Sequence, residues 1–325
     1  MLLRMLAFLV SLPFLVFTLP RGDKPGARTE INPNAKNPYI AAYGKPMVSA
    51  HRSGAGLAPE NTKMAVEACL NAKNFRIDVF EFDVKLTKDG TLILLHNSTF
   101  DATSNAAEVF GHRNVKPSRY TFEQLQKLNL GEKFSIDGKY PYKGLRGKDT
   151  QKNLRVAALE DILGHIEKNT KRDKKYIIEL KDGLLRGRRA ADELHRILKD
   201  LKLLDRTIVG TFWPLLPHYI DRRYPDMPRS ASIVECLWFY ARCQTGRPLG
   251  NVNYVALQIP CNEIPWPLRY INLMTKEVIN YAHKYDIAVQ YWTVNKEQNV
   301  RRLRDNGADA IMTDYPDMAW RVIYG

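Results

Sequence analysis

The chain has 325 residues, of which 45% are hydrophobic and 26% charged, and its 49 lysines and arginines outnumber its 35 aspartates and glutamates. These values are typical of a globular protein with one large core, and they exclude a disordered or low-complexity chain. The formal net charge of +14 favours an anionic partner, such as a phosphate ester, a nucleic acid or an acidic membrane. The basic residues are scattered along the chain instead of forming a tail, which argues against nucleic acid as the partner.

The N-terminus carries a short apolar segment. Arg4 precedes an apolar run over Met5–Leu19, which matches the hydrophobic part of a signal peptide and is shorter than the ~20 residues of a typical transmembrane helix. No small-residue cleavage site follows, so residues 1–20 are predicted to be either a signal peptide or an uncleaved signal anchor. Residues 21–45 are predicted to be a linker. We therefore expect a membrane-anchored or secreted protein whose folded domain lies outside the cytoplasm.

Beyond Pro46, short β-branched segments alternate with longer segments whose apolar residues have helical spacing. The predicted strands are Met47–Ala50, Val79–Leu86, Tyr176–Leu180, Thr207–Thr211, Ala231–Val234, Tyr254–Ile259, Ile287–Trp292 and Ala310–Thr313. The predicted helices are Thr62–Lys73, Leu159–Asn169, Arg188–Leu203, Thr275–Tyr285 and Lys296–Asn306. This alternation predicts an α/β protein, and eight strands favour a closed (β/α)8 TIM barrel over residues 46–325. A doubly wound sheet is the alternative, which the lack of an early GxGxxG weakens.

One long connection interrupts the alternation after the second strand. Residues Ser98–Arg155 separate two barrel elements and contain many Gly, Lys and Tyr residues. A connection of this length is usually a functional loop, a lid or a small subdomain. Within it, Thr121–Leu128 is predicted to be helical, because Thr121 and Gln124 have the spacing of a capping box. We therefore expect an insertion over residues 98–155.

Charged and polar residues occur where the predicted strands end, which is the face that carries function in barrels of this kind. Glu81 and Asp83 lie two residues apart on one strand and therefore share a face. Glu179 and Lys181 have the same spacing on the next strand. The other residues at strand ends are His51 and Arg52, then His96 after a short strand Thr91–Leu95, and finally Trp292 and Asp314.

The three carboxylates Glu81, Asp83 and Glu179 form a candidate metal site. Charges within apolar strands are costly to bury unless they are paired or bound to a metal. Oxygen ligands without thiolates suit one hard divalent cation, Mg²⁺ or Ca²⁺, in preference to zinc. The alternative is a structural ion network in which Arg52 and Lys181 neutralise the carboxylates.

The histidines and the two cations add groups that move protons and bind anions. His51 and His96 can exchange protons near neutral pH. Arg52 and Lys181 can hold the oxygens of a phosphate and stabilise the charge that develops on them. Together with a carboxylate-bound metal, these groups are typical of a site that cleaves a phosphate diester.

The four cysteines show neither a CxxC motif nor histidine partners at zinc spacing. Cys236 and Cys243 could pair in an oxidising compartment. Four separate buried thiols are the simpler expectation.

Several of these segments resemble, in order, the signature blocks of the glycerophosphodiester phosphodiesterase family. The blocks are His51-Arg52-Ser53-Gly54, Pro59-Glu60-Asn61-Thr62, Glu81–Gly90, Leu95-His96-Asn97, Ile178–Lys181, Tyr291–Asn295 and Thr313–Pro316. The resemblance extends from about Pro46 to Asp317. It implies a TIM barrel, one divalent cation and hydrolysis of glycerophosphodiesters to sn-glycerol 3-phosphate and an alcohol.

The resemblance also implies a role for each candidate residue. The expected groups are the acid–base pair His51 and His96, the metal ligands Glu81, Asp83 and Glu179, and the phosphate-binding cations Arg52 and Lys181. Trp292 is expected to line the glycerol side of the site, with a core position as the alternative. Glu60 is expected to cap a helix and support the site.

Three positions depart from the family pattern. Ser53 replaces the usual Gly, Asn97 the usual Asp, and Ala158 the usual Thr. Asn97 matters most, because a carboxylate beside His96 would help to orient and charge its surroundings.

Other activities on the same barrel are a lysophospholipase D, for which a lysophospholipid would be the substrate, and a sphingomyelinase D-like phospholipase. The Pro59–Thr62 and Tyr291–Asn295 blocks favour the glycerophosphodiesterase over the second of these. A catalytically inactive, surface-binding barrel is a further alternative. The presence of both histidines and all three carboxylates argues against it.

Overall fold

A computed structural model describes residues 35–261 and 272–325. The strands are β1 (Met47–Ala50), β2 (Val79–Leu86), β3 (Leu92–Leu94), β4 (Lys175–Leu180), β5 (Thr207–Gly210), β6 (Ala256–Pro260), β7 (Ala288–Trp292) and β8 (Ala310–Thr313). The helices are α1 (Lys63–Leu70), α2 (Ala106–Phe110), α3 (Phe122–Leu125), α4 (Leu159–Asn169), α5 (Leu184–Asp200), α6 (Leu216–Arg223), α7 (Ile233–Thr245), α8 (Lys276–Lys284), α9 (Glu297–Asn306) and α10 (Pro316–Tyr324). The expected α/β alternation is confirmed.

Seven parallel strands form the barrel sheet, in the order β5-β4-β2-β1-β8-β7-β6. β3 pairs antiparallel with β2 and is not part of this strand order. The gap between β5 and β6 is bridged by two residues: Arg229 pairs with Val209 of β5, and Ser230 pairs with Ala256 of β6. The predicted TIM barrel is therefore present, with a two-residue bridge at the eighth position.

The predicted strand Ala231–Val234 is wrong. Ser232 is the N-cap of α7, and its Oγ accepts a hydrogen bond from the backbone N of Glu235 at 3.3 Å. The Glu235 carboxylate accepts one in return from the Ser232 backbone N at 2.7 Å. This capping box starts a helix where the β-branched residues alone suggested a strand.

The barrel interior is apolar at its base and polar at its top. On β2, Phe80 and Phe82 belong to the large outer core that the helices cover. Val79, on the other face, packs with Ile177 and Met312 inside the barrel. Because side chains alternate along a strand, Glu81 and Asp83 continue the inward face toward the strand ends.

Residues 98–155 form a small subdomain beside β3. Its apolar side chains make a separate core, which contains Phe100, Leu125 and Leu128 together with Ile93 and Leu95 from the β3 region. The capping box predicted for Thr121 and Gln124 is present, and α3 is shorter than the predicted helix. The insertion is therefore a packed unit attached to the barrel.

Residues 35–45, the second part of the predicted linker, pack against the barrel. Asn37 donates its side-chain amide to the backbone oxygens of Val255 at 2.7 Å and Asp286 at 2.9 Å. Tyr39 is buried against Ile208, Ala256 and Ala288. These contacts cover the end of the barrel where the strands begin.

In the described ranges 35–261 and 272–325, the helices are all too short or too polar to cross a membrane. The predicted signal peptide or anchor, residues 1–20, lies outside those ranges, as do residues 21–34 of the predicted linker. All four cysteines are separate thiols, as expected, but only three are buried, because Cys236 is partly exposed.

Candidate active site

The three predicted metal ligands meet at the top of the barrel. Glu81 and Asp83 share the inward face of β2, and Asp83 lies opposite Glu179 in the register of β2 with β4. One ligand oxygen from each of the three carboxylates lies within 4.8 Å of the others. The sequence spacing therefore gives the expected cluster.

Two cations contact this cluster. The Lys181 Nζ lies 2.7 Å from Glu179 Oε1 and 3.0 Å from Asp83 Oδ1. Arg52 donates its backbone N to Glu81 at 2.6 Å and its guanidinium to Glu60 at 3.0 Å. Glu60 therefore positions Arg52, and Thr62, not Glu60, caps α1.

The three carboxylates differ in how burial and the neighbouring charges shift their pKa values. Burial, and then the neighbouring carboxylate of Asp83, raise the pKa of Glu81 to about 8. Burial also raises the pKa of Glu179, even though Lys181 opposes it. The pKa of Asp83 is lowered against the effect of burial, chiefly by Lys181.

A divalent cation fits this set of donors. Four carboxylates, those of Glu60, Glu81, Asp83 and Glu179, surround the two permanent cations Lys181 and Arg52. The excess negative charge and the oxygen-only donors are what a hard cation requires. Part of the alternative ion network is also present, since Lys181 pairs with two of the acids. A metal site needs a bound divalent ion to balance the carboxylates, whereas the ion network does not.

His51 is paired with a carboxylate from the far end of the chain. Its Nδ1 lies 2.6 Å from Asp314 Oδ1, and Asn295 donates to Asp314 Oδ2 at 2.6 Å. Burial alone would lower the pKa of His51, but the carboxylates of Asp314 and Glu81 outweigh it and raise that pKa. The ring is therefore held toward its protonated form.

His96 has the opposite environment. Burial lowers the pKa of His96 to about 4, and the charges of Lys181 and Arg52 act in the same direction. Its Nδ1 is 3.4 Å from Oδ1 of Asn97, where the family pattern has an aspartate. The ring is neutral near pH 7, so the two histidines are suited to opposite proton-transfer roles.

The turn after β1 is built from left-handed backbone. Arg52, Ser53 and Asn61 have φ values of 48°, 70° and 54°, a region that non-glycine residues rarely adopt. Asn61 donates its side-chain amide to Asp83 Oδ2 at 3.0 Å, and its backbone N to Arg52 O at 2.8 Å. Backbone strain of this kind persists where surrounding contacts stabilise it. Here the strained turn places Arg52 beside Glu81 and Asp83.

All eight predicted site residues line one cavity of about 360 Å³. They are His51, Arg52, Glu81, Asp83, His96, Glu179, Lys181 and Trp292. The ring of Trp292 lies 6.0 Å from that of Phe212, edge to face. The structure thus brings these eight residues together, and the remaining strand-end residue, Asp314, contacts His51. Their chemical roles stay predictions.

The cavity also has an apolar side, which was not predicted. This side is lined by Phe212, Ile233, Cys236, Leu237, Tyr240 and Leu273. Sequence reasoning also missed Asn61 and Asn295 as supports, although both lie in the recognised blocks. It placed Asp314 at the end of a strand but did not predict its contact with His51. Apart from the residue type, nothing in the local sequence predicts that Asn61 has a positive φ.

Comparison with known proteins places these features in one family. Residues 51–318 match the glycerophosphoryl diester phosphodiesterase family. A glycerophosphodiester phosphodiesterase from Caldanaerobacter subterraneus subsp. tengcongensis is 28% identical over 276 residues, 84% of this chain and 96% of that protein. The mouse protein named lysophospholipase D GDPD3 is 24% identical over 83% of this chain and 79% of its own.

A solved structure shares the fold. The structure of a phosphodiesterase from Oleispira antarctica in complex with the product sn-glycerol-3-phosphate superposes with a TM-score of 0.61 at 18% identity. The match covers 86% of this chain and 98% of that one.

Proposed function

The chain belongs to the glycerophosphoryl diester phosphodiesterase family, and from this we propose that it hydrolyses glycerophosphodiesters to sn-glycerol 3-phosphate and an alcohol. The observation that carries the proposal is the cluster of Glu81, Asp83 and Glu179, within 4.8 Å of one another, in one cavity with both histidines. An acidic cluster that can hold a divalent cation, beside two cations and two histidines, suits a phosphate diester better than a neutral substrate.

We assign Glu81, Asp83 and Glu179 as ligands of one divalent cation, Mg²⁺ or Ca²⁺. When bound, such an ion supplies positive charge that stabilises the negative charge of a phosphoryl group in the transition state. The carboxylates would hold it, while Asn61 orients Asp83 and Lys181 bridges Asp83 and Glu179.

The remaining groups act on the substrate directly. Arg52 and Lys181 bind the non-bridging oxygens of the phosphate and keep it oriented. His96, neutral near pH 7, takes a proton from the water whose oxygen attacks the phosphorus, and the bond from phosphorus to the leaving alcohol breaks. His51, held in its protonated form by Asp314, donates a proton to the oxygen of the leaving alcohol. Trp292 lines the side of the cavity that receives the glycerol.

A lysophospholipid is the second candidate substrate, and the apolar side of the cavity favours it. Phe212, Ile233, Leu237 and Leu273 would contact an acyl chain, while a free glycerophosphodiester has no apolar group to place there. The same phosphate chemistry would then release a headgroup alcohol from a lipid.

One assay tests both substrates. Glycerophosphocholine, glycerophosphoethanolamine and lysophosphatidylcholine are compared at equal concentration with Mg²⁺ or Ca²⁺ added. Choline or ethanolamine release from the first two supports the glycerophosphodiesterase, and a higher kcat/KM on the third supports the lysophospholipase D. No release from any of them would refute the proposal.

Asp314→Asn should lower kcat/KM near neutral pH by about 10–100-fold, the loss typical of a partner that orients a functional group. Asp314 raises the pKa of His51, so its loss should lower that pKa and move the alkaline limb of the pH–rate profile to lower pH. Full pH profiles of both proteins measure this. Asp226→Asn is a matched control, because Asp226 also contacts a histidine outside the cavity. The distance from His195 Nε2 to Asp226 Oδ1 is 3.1 Å. An unmoved alkaline limb would contradict the assignment of His51 as the acid.

We also propose that Met5–Leu19 keeps the mature protein at a membrane, with the catalytic domain outside the cytoplasm. The support is the apolar run without a cleavage site. N-terminal sequencing of the protein from its native host should find residues 1–20 in the membrane fraction. A start near Gly22–Arg28, with the protein free in the medium, would instead show a cleaved signal and a secreted enzyme.

A further inference from the structure

Exposed apolar side chains gather around the mouth of the cavity. They come from three connections at adjacent positions of the barrel: β4 to α5, β5 to α6, and the Arg229–Ser230 bridge to α7. We call them the apolar rim, which consists of Leu184, Leu185, Phe212, Trp213, Leu215, Ile233 and Val234. A contiguous exposed apolar patch on a globular protein marks an interaction site.

The rim leucines are held outward on a firm support. Leu184 and Leu185 are 76% and 74% exposed, and Leu184 has a φ of 53°. A Cβ on Gly183 would lie 2.1 Å from Cδ2 of Trp213, so this loop lies directly on the indole. The indole in turn donates its Nε1 hydrogen to Lys181 O at 3.0 Å. The leucines therefore face solvent because the loop is fixed in that position.

The apolar rim is continuous with the apolar side of the cavity. Phe212 and Ile233 belong to both. Whatever covers the rim must therefore also face the cavity mouth.

The charge beside the rim is positive. The first two turns of α5 contain Arg186, Arg188 and Arg189, and the first acidic residue of the helix is Asp192. Helix N-termini favour acids and disfavour cations, so this arrangement is unfavourable for the helix alone. Arg186 binds Asp182 and the Leu86 carbonyl. Arg188 and Arg189 are exposed, and the Arg188 guanidinium also lies 5.3 Å from the centroid of the Tyr219 ring. The combination suits an anionic partner.

We propose that the apolar rim, with Arg188 and Arg189, docks the barrel on an anionic lipid surface. The leucines and Trp213 enter the headgroup region, where apolar side chains and indoles are stable, and the two arginines contact anionic headgroups. A nucleic acid fits less well, because five of the seven rim side chains are aliphatic and cannot stack on bases. This docking is separate from the N-terminal segment and from the proposed reaction, since neither is needed for the rim to contact lipid.

Hydrogen–deuterium exchange on the full chain tests the proposal. Peptides covering residues 182–190, 211–216 and 231–235 are followed with no lipid, with phosphatidylcholine vesicles, and with equimolar phosphatidylcholine–phosphatidylglycerol vesicles. We expect slower exchange in all three peptides with the anionic vesicles. No turnover enters this measurement, so a failure of the proposed reaction would leave its result unchanged.

Two variants separate the apolar and the charged contribution. Leu184→Asn with Leu185→Ser should abolish the protection, and asparagine tolerates the positive φ. Arg188→Gln with Arg189→Gln should weaken docking by roughly fivefold for each arginine removed. The matched controls are Ile136→Ser, an exposed apolar residue of the insertion, and Lys168→Gln with Lys199→Gln at the other ends of α4 and α5. The controls should behave as the wild type.

Three results would overturn the proposal. The first is a chain that associates with vesicles while the rim peptides exchange as in solution, which would assign binding to the N-terminal segment alone. The second is equal protection on neutral and anionic vesicles. The third is protection without lipid that rises with protein concentration, which would identify the rim as a contact between copies of the chain.

Discussion

Alanine in place of either His51 or His96 should lower kcat on a glycerophosphodiester by about 10²–10⁴-fold while the barrel stays folded. Each ring lines the cavity, and their environments shift their pKa values in opposite directions. Loss of either one removes a proton donor or acceptor that the other ring cannot replace. Neither is part of the apolar core, so the free energy of unfolding should change little.

Glutamine variants sharpen this prediction. His51→Gln keeps a side-chain amide that can donate to Asp314, but it cannot transfer a proton at neutral pH. Equal losses for glutamine and alanine would therefore indicate proton transfer, whereas recovery with glutamine would indicate a positioning role. His112→Ala, in the exposed part of the insertion, is the matched control and should retain full activity. A His51 or His96 variant that keeps more than half of the wild-type kcat, with a wild-type melting curve, would disprove the assignment.

The local pattern of the sequence was sufficient to predict the acidic cluster of Glu81, Asp83 and Glu179. Two acids at a spacing of two must share a strand face, and the parallel register then brings Glu179 opposite Asp83. The same pattern failed at Ala231–Val234, because the capping box at Ser232 and Glu235 outweighs the β-branched residues there. Local propensity is a weak guide where a cap and a strand signal compete.

Contacts between distant parts of the chain could not be predicted in this way. Asp314 follows His51 by 263 residues, and only closure of the barrel between β1 and β8 brings them together. The apolar side of the cavity has the same origin, since Phe212, Leu237 and Leu273 come from three separate segments. The resemblance to a known family located the polar residues, but family signatures contain little about the variable loops that shape substrate preference.

The second large effect concerns the cation. Removal of divalent ions with EDTA should abolish activity, and added Mg²⁺ or Ca²⁺ should restore it. Glu81→Gln should weaken ion affinity by at least about 10–100-fold, the loss that even a supporting group causes. Titration calorimetry and elemental analysis measure the ion directly. Glu123→Gln, an exposed carboxylate of α3, is the matched control for the loss of one charge.

The stability of the protein provides a test that does not depend on turnover. Without an ion, burial and Asp83 raise the pKa of Glu81 from 4.5 to about 8. Between these two pH values the native state keeps a proton that the unfolded chain has lost, so this group makes the ion-free protein less stable as the pH rises through that window. A bound cation favours the ionised carboxylate and should remove this pH dependence while raising Tm, because it binds only the folded state. Glu81→Gln should remove both the pH dependence and the ion-induced rise in Tm. If Lys181 and Arg52 alone balance the acids, ions will leave Tm unchanged and the exhaustively chelated enzyme will be fully active.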